Sequence, residues 1–167
     1  MASRRAVLVA AAGAAVAAVG GCGFELRRAP ELRFRSVQLT GFKAASPLAE
    51  ELRRSINASQ TTLVVDSAAQ AQLVFEALTD ARERGVVAST ASGQVRELQL
   101  RARLRFRVRS NVGKELIPAT EIVLSRDMSY SESAALAKEQ EEALLYRVMQ
   151  SDIVAQVMRR LASLQIN

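Results

Sequence analysis

Five arginines, Arg101, Arg103, Arg105, Arg107 and Arg109, recur at every second position of "LQLRARLRFRVR", residues 98 to 109. Guanidinium groups at that period suit one kind of chemistry, holding anionic oxygens through forked, permanently charged donors. Drawn as a strand, the segment has one apolar and one cationic face, with same-face neighbours about 7 Å apart. That separation is inside the screening length of about 8 Å at physiological salt, so the five charges repel one another and act as one field. Something negative has to stand close to them.

Other reactive groups are few. Histidine is absent, which removes the usual general base, the commonest metal ligand and the common serine-hydrolase triad. Asp80, Glu83 and Glu97 fall near strand ends, but their spacing marks no acid–base pair, and neither a G-x-G-x-x-G nor a Walker pattern occurs. The expectation is a binding or structural protein, not an enzyme, with no cofactor and no metal. The single cysteine, Cys22, is the remaining nucleophile.

Cys22 ends the most specific stretch of the chain. Arg4 and Arg5 are followed by the apolar run "AVLVAAAGAAVAAVG" from Ala6 to Gly20, of signal-peptide length and short for a bilayer-spanning helix. "VGGC", Val19 to Cys22, resembles the bacterial lipobox, in which the thiol takes a diacylglyceryl group, the leader is cut before the cysteine and the new amine is acylated. Each buried methylene contributes about 0.8 kcal/mol, so three chains would hold the protein on a membrane. The competing reading is a buried thiol in a transmembrane anchor. Residues 1–21 are therefore expected to be a signal peptide and 22–30 a lipidated linker. Gly23 after the cysteine favours the outer membrane. "SRRAVL" faintly echoes a twin-arginine signal, although ordinary Sec export suits the incomplete pattern better.

The rest must position the arginine row. Of 167 residues 49% are hydrophobic, enough for one domain, 31–167, with a core of its own. A strand is expected at about 32–40. Ser46 as cap, Pro47 at the first helical position and Leu48, Leu52 and Ile56 every fourth residue predict a helix over about 47–58. Strands follow at 61–66 and about 73–84. A loop containing Gly85, Ser89, Ser92 and Gly93 leads into the arginine strand, which starts near Gln94. "SNVGKE" turns the chain into a strand over 117–127, with Pro118 marking an edge or an end. Ser129 with Glu132 fits a capping box, Ser131 being the rival cap, for a final helix of about 30 residues and 45 Å. Leu145, Met149, Ile153, Val157 and Leu161 form its stripe, widened by Val148, Val154 and Met158. The fold class is α+β: a two-layer sandwich, β-α-β-β-β-β-α, with both helices on one face of a mixed, mostly antiparallel sheet of four to five strands. The arginine face is left uncovered by these helices.

Three surroundings suit such a face: open water, nucleic-acid phosphates, or an anionic lipid or protein surface. Lys plus Arg number 23 against 17 Asp plus Glu, and removing Arg4 and Arg5 with the leader leaves 21 against 17. Nucleic acid fits poorly, since Phe106 points away from the arginines and offers no stacking platform beside them.

"GCGFELR" after the lipobox, "GQVRELQL" (93–100), "SRDMSY" (125–130) and "LAKEQEEALLYRVMQSDIVAQVMRRL" (136–161), in that order, resemble the lipopolysaccharide-assembly lipoproteins, the LptE family. The resemblance covers essentially the whole chain after Cys22. It implies an outer-membrane, periplasm-facing lipoprotein that plugs the barrel of the translocon subunit LptD, supports its assembly and assists lipopolysaccharide transport. The arginine row would then face a barrel lumen or passing phosphates. The resemblance also sets Lys138 at a position where relatives use a basic side chain against lipid phosphates; its plainer reading is an i,i+4 pair with Glu142. Where some relatives carry a second basic residue this chain has Ala91 and Ser92, with Arg82, Arg84 or Arg96 as substitutes. The alternative function is a stand-alone lipid carrier or periplasmic adaptor, which needs an enclosed apolar cavity instead of a packed core.

Overall fold

The computed structural model describes residues 31–165. The expected signal peptide, Cys22 and the linker to residue 30 lie outside the described residues. Five strands form one sheet in the order β2-β1-β3-β4-β5. They are β1 (Ser36–Thr40), β2 (Leu63–Val65), β3 (Leu73–Ser89), β4 (Val95–Ser110) and β5 (Glu115–Ser129). Two helices, α1 (Pro47–Asn57) and α2 (Ala135–Ala162), complete the α+β sandwich in the expected order. β1 is parallel to both β2 and β3, whereas the much longer β3-β4-β5 ladders are antiparallel.

The alternation of β4 sorts its side chains as the sequence requires. Leu98, Leu100, Ala102, Leu104, Phe106 and Val108 are all buried on the helix side. Burying each of the larger ones contributes about 1.5–3 kcal/mol. Phe106 stacks on Phe75 at 4.8 Å between ring centroids, and Phe75 on Phe42 at 5.9 Å. α1 lays Leu48, Leu52 and Ile56 onto this layer. Its cap is Ser46, whose Oγ accepts from the Ala49 N–H at 3.2 Å and donates to Asp80 Oδ2 at 2.5 Å, fastening the helix start to β3. The chain reaches that cap through Gly41, which has φ +80° and lies so close to β3 that a Cβ would sit 2.1 Å from the Ala77 carbonyl oxygen.

Several boundaries differ from expectation. β1 begins at Ser36 because Leu32 and Phe34, though buried, are held by Thr61 and Thr62 hydroxyls donating to their carbonyls, outside the sheet ladder. β3 runs through Gly85 to Ser89, so the loop shrinks to Thr90–Gln94, closed by Gly93 at φ +82°. The capping box does not form. Ser129 ends β5, and Ser131 precedes a short 3-10 turn (Glu132–Ala134) that leads into α2 without a side-chain cap. The buried arc of α2 includes Tyr146 and Gln150, which rotates Val148 outward, 46% exposed.

Two irregularities crease the sheet at the level of Phe106. β3 has a bulge at Leu78, and β5 carries extra residues around Pro118 and Ala119 opposite the step from Phe106 to Val108. Pro118 lies on the edge strand, where its missing N–H breaks no inner ladder. Because the side-chain period of a strand is two, the one-residue insertion at Leu78 reverses the facing from Thr79 to Val86, where the register shifts again. Asp80, Arg82 and Arg84, opposite Leu104, Ala102 and Leu100, therefore join the helix side, while Thr79, Ala81 and Glu83 join the arginine side.

Candidate functional site

The five arginines of β4 occupy the sheet face that neither helix covers, opposite in facing to the buried residues between them. Their negative counterparts come from the neighbouring strands. Glu76 of β3 accepts from Arg107 Nε at 2.8 Å, Arg107 Nη2 at 3.0 Å and Arg109 Nη2 at 2.9 Å. These bonds, Arg107's foremost, hold the Glu76 carboxyl below its ordinary range against the opposing effect of burial. Arg103 lies between Glu83 at 3.4 Å and Glu121 at 3.8 Å. Arg101 donates to Gln99 Oε1 at 2.8 Å, and Gln99 in turn donates to Asp127 at 3.0 Å. Arg105 faces Thr79 and Glu121 in register, yet among the described residues it has no carboxylate within 4.0 Å. The row is thus graded. Arg103, Arg107 and Arg109 are tied down and half-buried, and Arg101 and Arg105 are exposed.

Donor capacity remains on this face. Arg101 and Arg105 are exposed and have no carboxylate within 4.0 Å among the described residues, whereas the unpartnered Nε groups of Arg103 and Arg109 are inaccessible. The arrangement can therefore take further anionic oxygens at Arg101 and Arg105 while its own carboxylates hold the rest in a fixed ladder. Glu76, Glu121 and Asp127 were not singled out from the sequence, and Glu83 stood out only as a carboxylate near a strand end. On a regular strand Glu76 and Glu83, seven residues apart, would face opposite ways, and only the bulge brings both to the arginines.

Lys138 is set apart from the row, at the start of α2. Its Nζ donates to Ser129 Oγ at 3.0 Å and to Glu141 at 2.8 Å, leaving the side chain 19% exposed. The expected Glu142 partner is taken instead by Arg84, at 3.2 Å. Arg82 turns inward as well. It donates to Gln150 Oε1 at 2.6 Å and lies 5.3 Å over the Tyr146 ring. Gln150 also donates to the Pro47 carbonyl and to Glu51, at 3.1 and 2.5 Å, so one buried amide joins β3, α1 and α2. Neither Arg82 nor Arg84 stands beside Lys138 as a second free cation; Arg96 is exposed, on a recess it shares with Gln94, Ser131, Glu132 and Ser133.

A family profile described as LptE, lipopolysaccharide-assembly, matches residues 34–161. The chain belongs to the LptE family. The LPS-assembly lipoprotein LptE of Pectobacterium atrosepticum is 25% identical over 154 residues, covering 91% of this chain and 83% of that one. Among solved structures, lipoprotein B from Nitrosomonas europaea superposes with a TM-score of 0.70 at 33% identity, over 84% of this chain and 91% of its own. Rare lipoprotein B from Shewanella oneidensis shares the fold, with a TM-score of 0.65 at 23% identity over 77% of this chain and 95% of its own. The LptE match begins at Phe34 and ends at Leu161, so it takes in both helices, the whole sheet and the complete arginine row.

Proposed function

We propose that this protein is an outer-membrane lipoprotein, anchored through Cys22, that plugs the LptD barrel, supports its assembly and assists lipopolysaccharide transport to the cell surface. Membership of the LptE family supports the assembly role. The observation that carries the plug reading is the uncovered sheet face, where a rigid ladder of alternating Arg and Glu leaves Arg101 and Arg105 free for a host wall or for phosphates. A polar outer face over a filled apolar interior is what a body inside a hydrated barrel requires, since the lumen side of such barrels is polar. Lys138, close to the surface at the start of α2, is our candidate for lipid-phosphate contact alongside Arg101 and Arg105.

The packing between helices and sheet favours a plug over a lipid carrier. Among the described residues, the recess between helices and sheet at Leu48, Asp80, Ala102 and Ile153 measures about 10 Å³, too small for an acyl chain and at the limit for one water.

The deciding experiment is affinity purification of the lipidated full-length protein from envelope membranes. LptD is expected to copurify, and charge reversal at Arg103 and Arg105 is expected to lower its yield. An unchanged yield of barrel and of lipopolysaccharide after the reversal would refute the role given to the arginine face. An unmodified amino terminus by mass spectrometry would refute the anchor.

A further inference from the structure

β3 has 17 residues, but β1 pairs with it only as far as Glu76. From Ala77 to Ser89 the side of β3 away from β4 has no strand partner among the described residues. One hydrogen bond is made there, from the Tyr146 hydroxyl to the Glu83 carbonyl at 2.7 Å. The Glu83 main chain therefore faces the open side, and with the alternation of an extended strand Ala81 and Gly85 face the same way.

Two recesses meet at this edge, one on each face of the sheet. The outer one, 260 Å³, is lined by Glu83, Gly85, Val87, Gln99 and Arg101. The helix-side one, 390 Å³, is lined by Arg84, Gly85, Val86, Val95, Leu98, Tyr130 and Glu132. Arg84, Gly85 and Val86 belong to both, and a Cβ built on Gly85 meets no atom within 4 Å, so the edge is notched where they join. The outer recess is polar and contains the exposed Arg101, which among the described residues has no carboxylate within 4.0 Å. The inner recess presents Val86, Val95, Leu98 and the Tyr130 ring, together with the oppositely charged Arg84 and Glu132.

We propose that the open edge of β3 accepts an extended segment of a partner polypeptide, paired at Ala81, Glu83 and Gly85, with an acidic side chain in the outer recess and an apolar one in the inner recess. Successive side chains of a strand point to opposite faces, so two neighbouring residues of one added strand fill the two recesses. Main-chain hydrogen bonds supply affinity and the recesses supply selectivity, the division of labour known for strand addition. Arg101 faces an acid, and the apolar walls of the inner recess face a residue such as valine or leucine.

The edge is also guarded against the wrong strand. Arg82 is held by Gln150 and Arg84 by Glu142, both partners on α2, the Leu78 bulge interrupts the base of the edge, and Tyr146 occupies one carbonyl. Antiparallel pairing with a second copy centred on Arg82, Glu83 or Arg84 would set that charge against itself, which is unfavourable. These features favour a different polypeptide over self-association, and none of them depends on the barrel reading above.

The test uses the full-length chain in detergent and a fluorescein-labelled peptide of about ten residues alternating valine and glutamate, long enough for strand addition. Its alternating valine–lysine and shuffled counterparts serve as controls. Saturable binding of the valine–glutamate peptide alone is expected, with slowed amide exchange along residues 81–87. Arg101→Ser is expected to weaken it by about tenfold, as for one partly desolvated charge pair. Tyr146→Phe, which frees the Glu83 carbonyl, is expected to tighten it. The proposal is overturned by absence of binding, by equal binding of the lysine peptide, by unchanged affinity in Arg101→Ser, by exchange protection on β5 instead, or by self-association replacing peptide binding.

Discussion

The Glu76 carboxylate sits astride Arg107 and Arg109, taking two hydrogen bonds from the first and one from the second, all between 2.8 and 3.0 Å. One acid on β3 thereby cancels the repulsion between two adjacent members of the β4 row. The same device recurs at Arg103 with Glu83 and Glu121, so a face that reads as purely cationic in one strand is a mixed ladder in the sheet.

Acid should loosen the fold through Glu76. Its folded-state carboxyl titrates below its unfolded value, so its stabilisation is complete above the unfolded value and is lost as pH falls through the folded one. Melting curves recorded from about pH 6 down to about pH 3, across the free glutamate value of about 4.3, should show a fall that Glu76→Gln largely removes. At neutral pH the same variant should melt lower by about 3 °C. Identical pH profiles for the two proteins would contradict this assignment.

Within the row, substitutions should split by partner. Arg105→Gln breaks no ion pair among the described residues and should leave Tm within about 1 °C. Arg107→Gln leaves Glu76 with Arg109 alone and should lower Tm distinctly more. Calorimetry on the two variants side by side measures the difference; equal shifts would show that the ladder does not carry stability.

Gln150 should behave as a core residue despite being polar. Its side chain is buried and joins Arg82, the Pro47 carbonyl and Glu51, so Gln150→Ala removes a hydrogen-bond partner from each of the three, Glu51 keeping only the Ser151 hydroxyl. A loss of about 2 kcal/mol is expected from urea unfolding, the usual penalty for buried polar partners left unpaired.

Two glycines should respond in opposite ways. Gly41→Ala meets the Ala77 carbonyl at 2.1 Å in a left-handed backbone, and a loss of more than about 3 kcal/mol is expected. Gly85→Ala enters open space on an extended strand and should be neutral or stabilising by up to about 1 kcal/mol. Urea unfolding of both variants tests the pair, and a neutral Gly41→Ala would disprove the tight crossing.

Much of the architecture was legible because its signals are local. The cap and proline at Ser46 and Pro47, the four-residue spacing of Leu48, Leu52 and Ile56, and the two-residue period of β4 each act within one element, and each holds. The failures are where distant chain decides. Leu32 and Phe34 read as strand but are bound by Thr61 and Thr62, and the start of α2 forms over the end of β5 without the box that Ser129 and Glu132 suggest. Lys138 was legible as a cation at the helix start; that Ser129 and Glu141, rather than Glu142, would hold it and leave it only 19% exposed was not.

By itself the amino-acid order determined that β4 has an apolar and a cationic side, that helices back only the apolar one, and that the chain ends in a long amphipathic helix. These follow from backbone geometry repeated residue by residue. Tertiary structure alone decided which carboxylates neutralise the arginines, which of Arg82, Arg84 and Lys138 stay available, and that β3 beyond Glu76 keeps an open edge among the described residues. The reason is register: a single extra residue at Leu78 exchanges the two faces of the strand from Thr79 to Val86, and its place is set by pairing with residues up to 37 positions away.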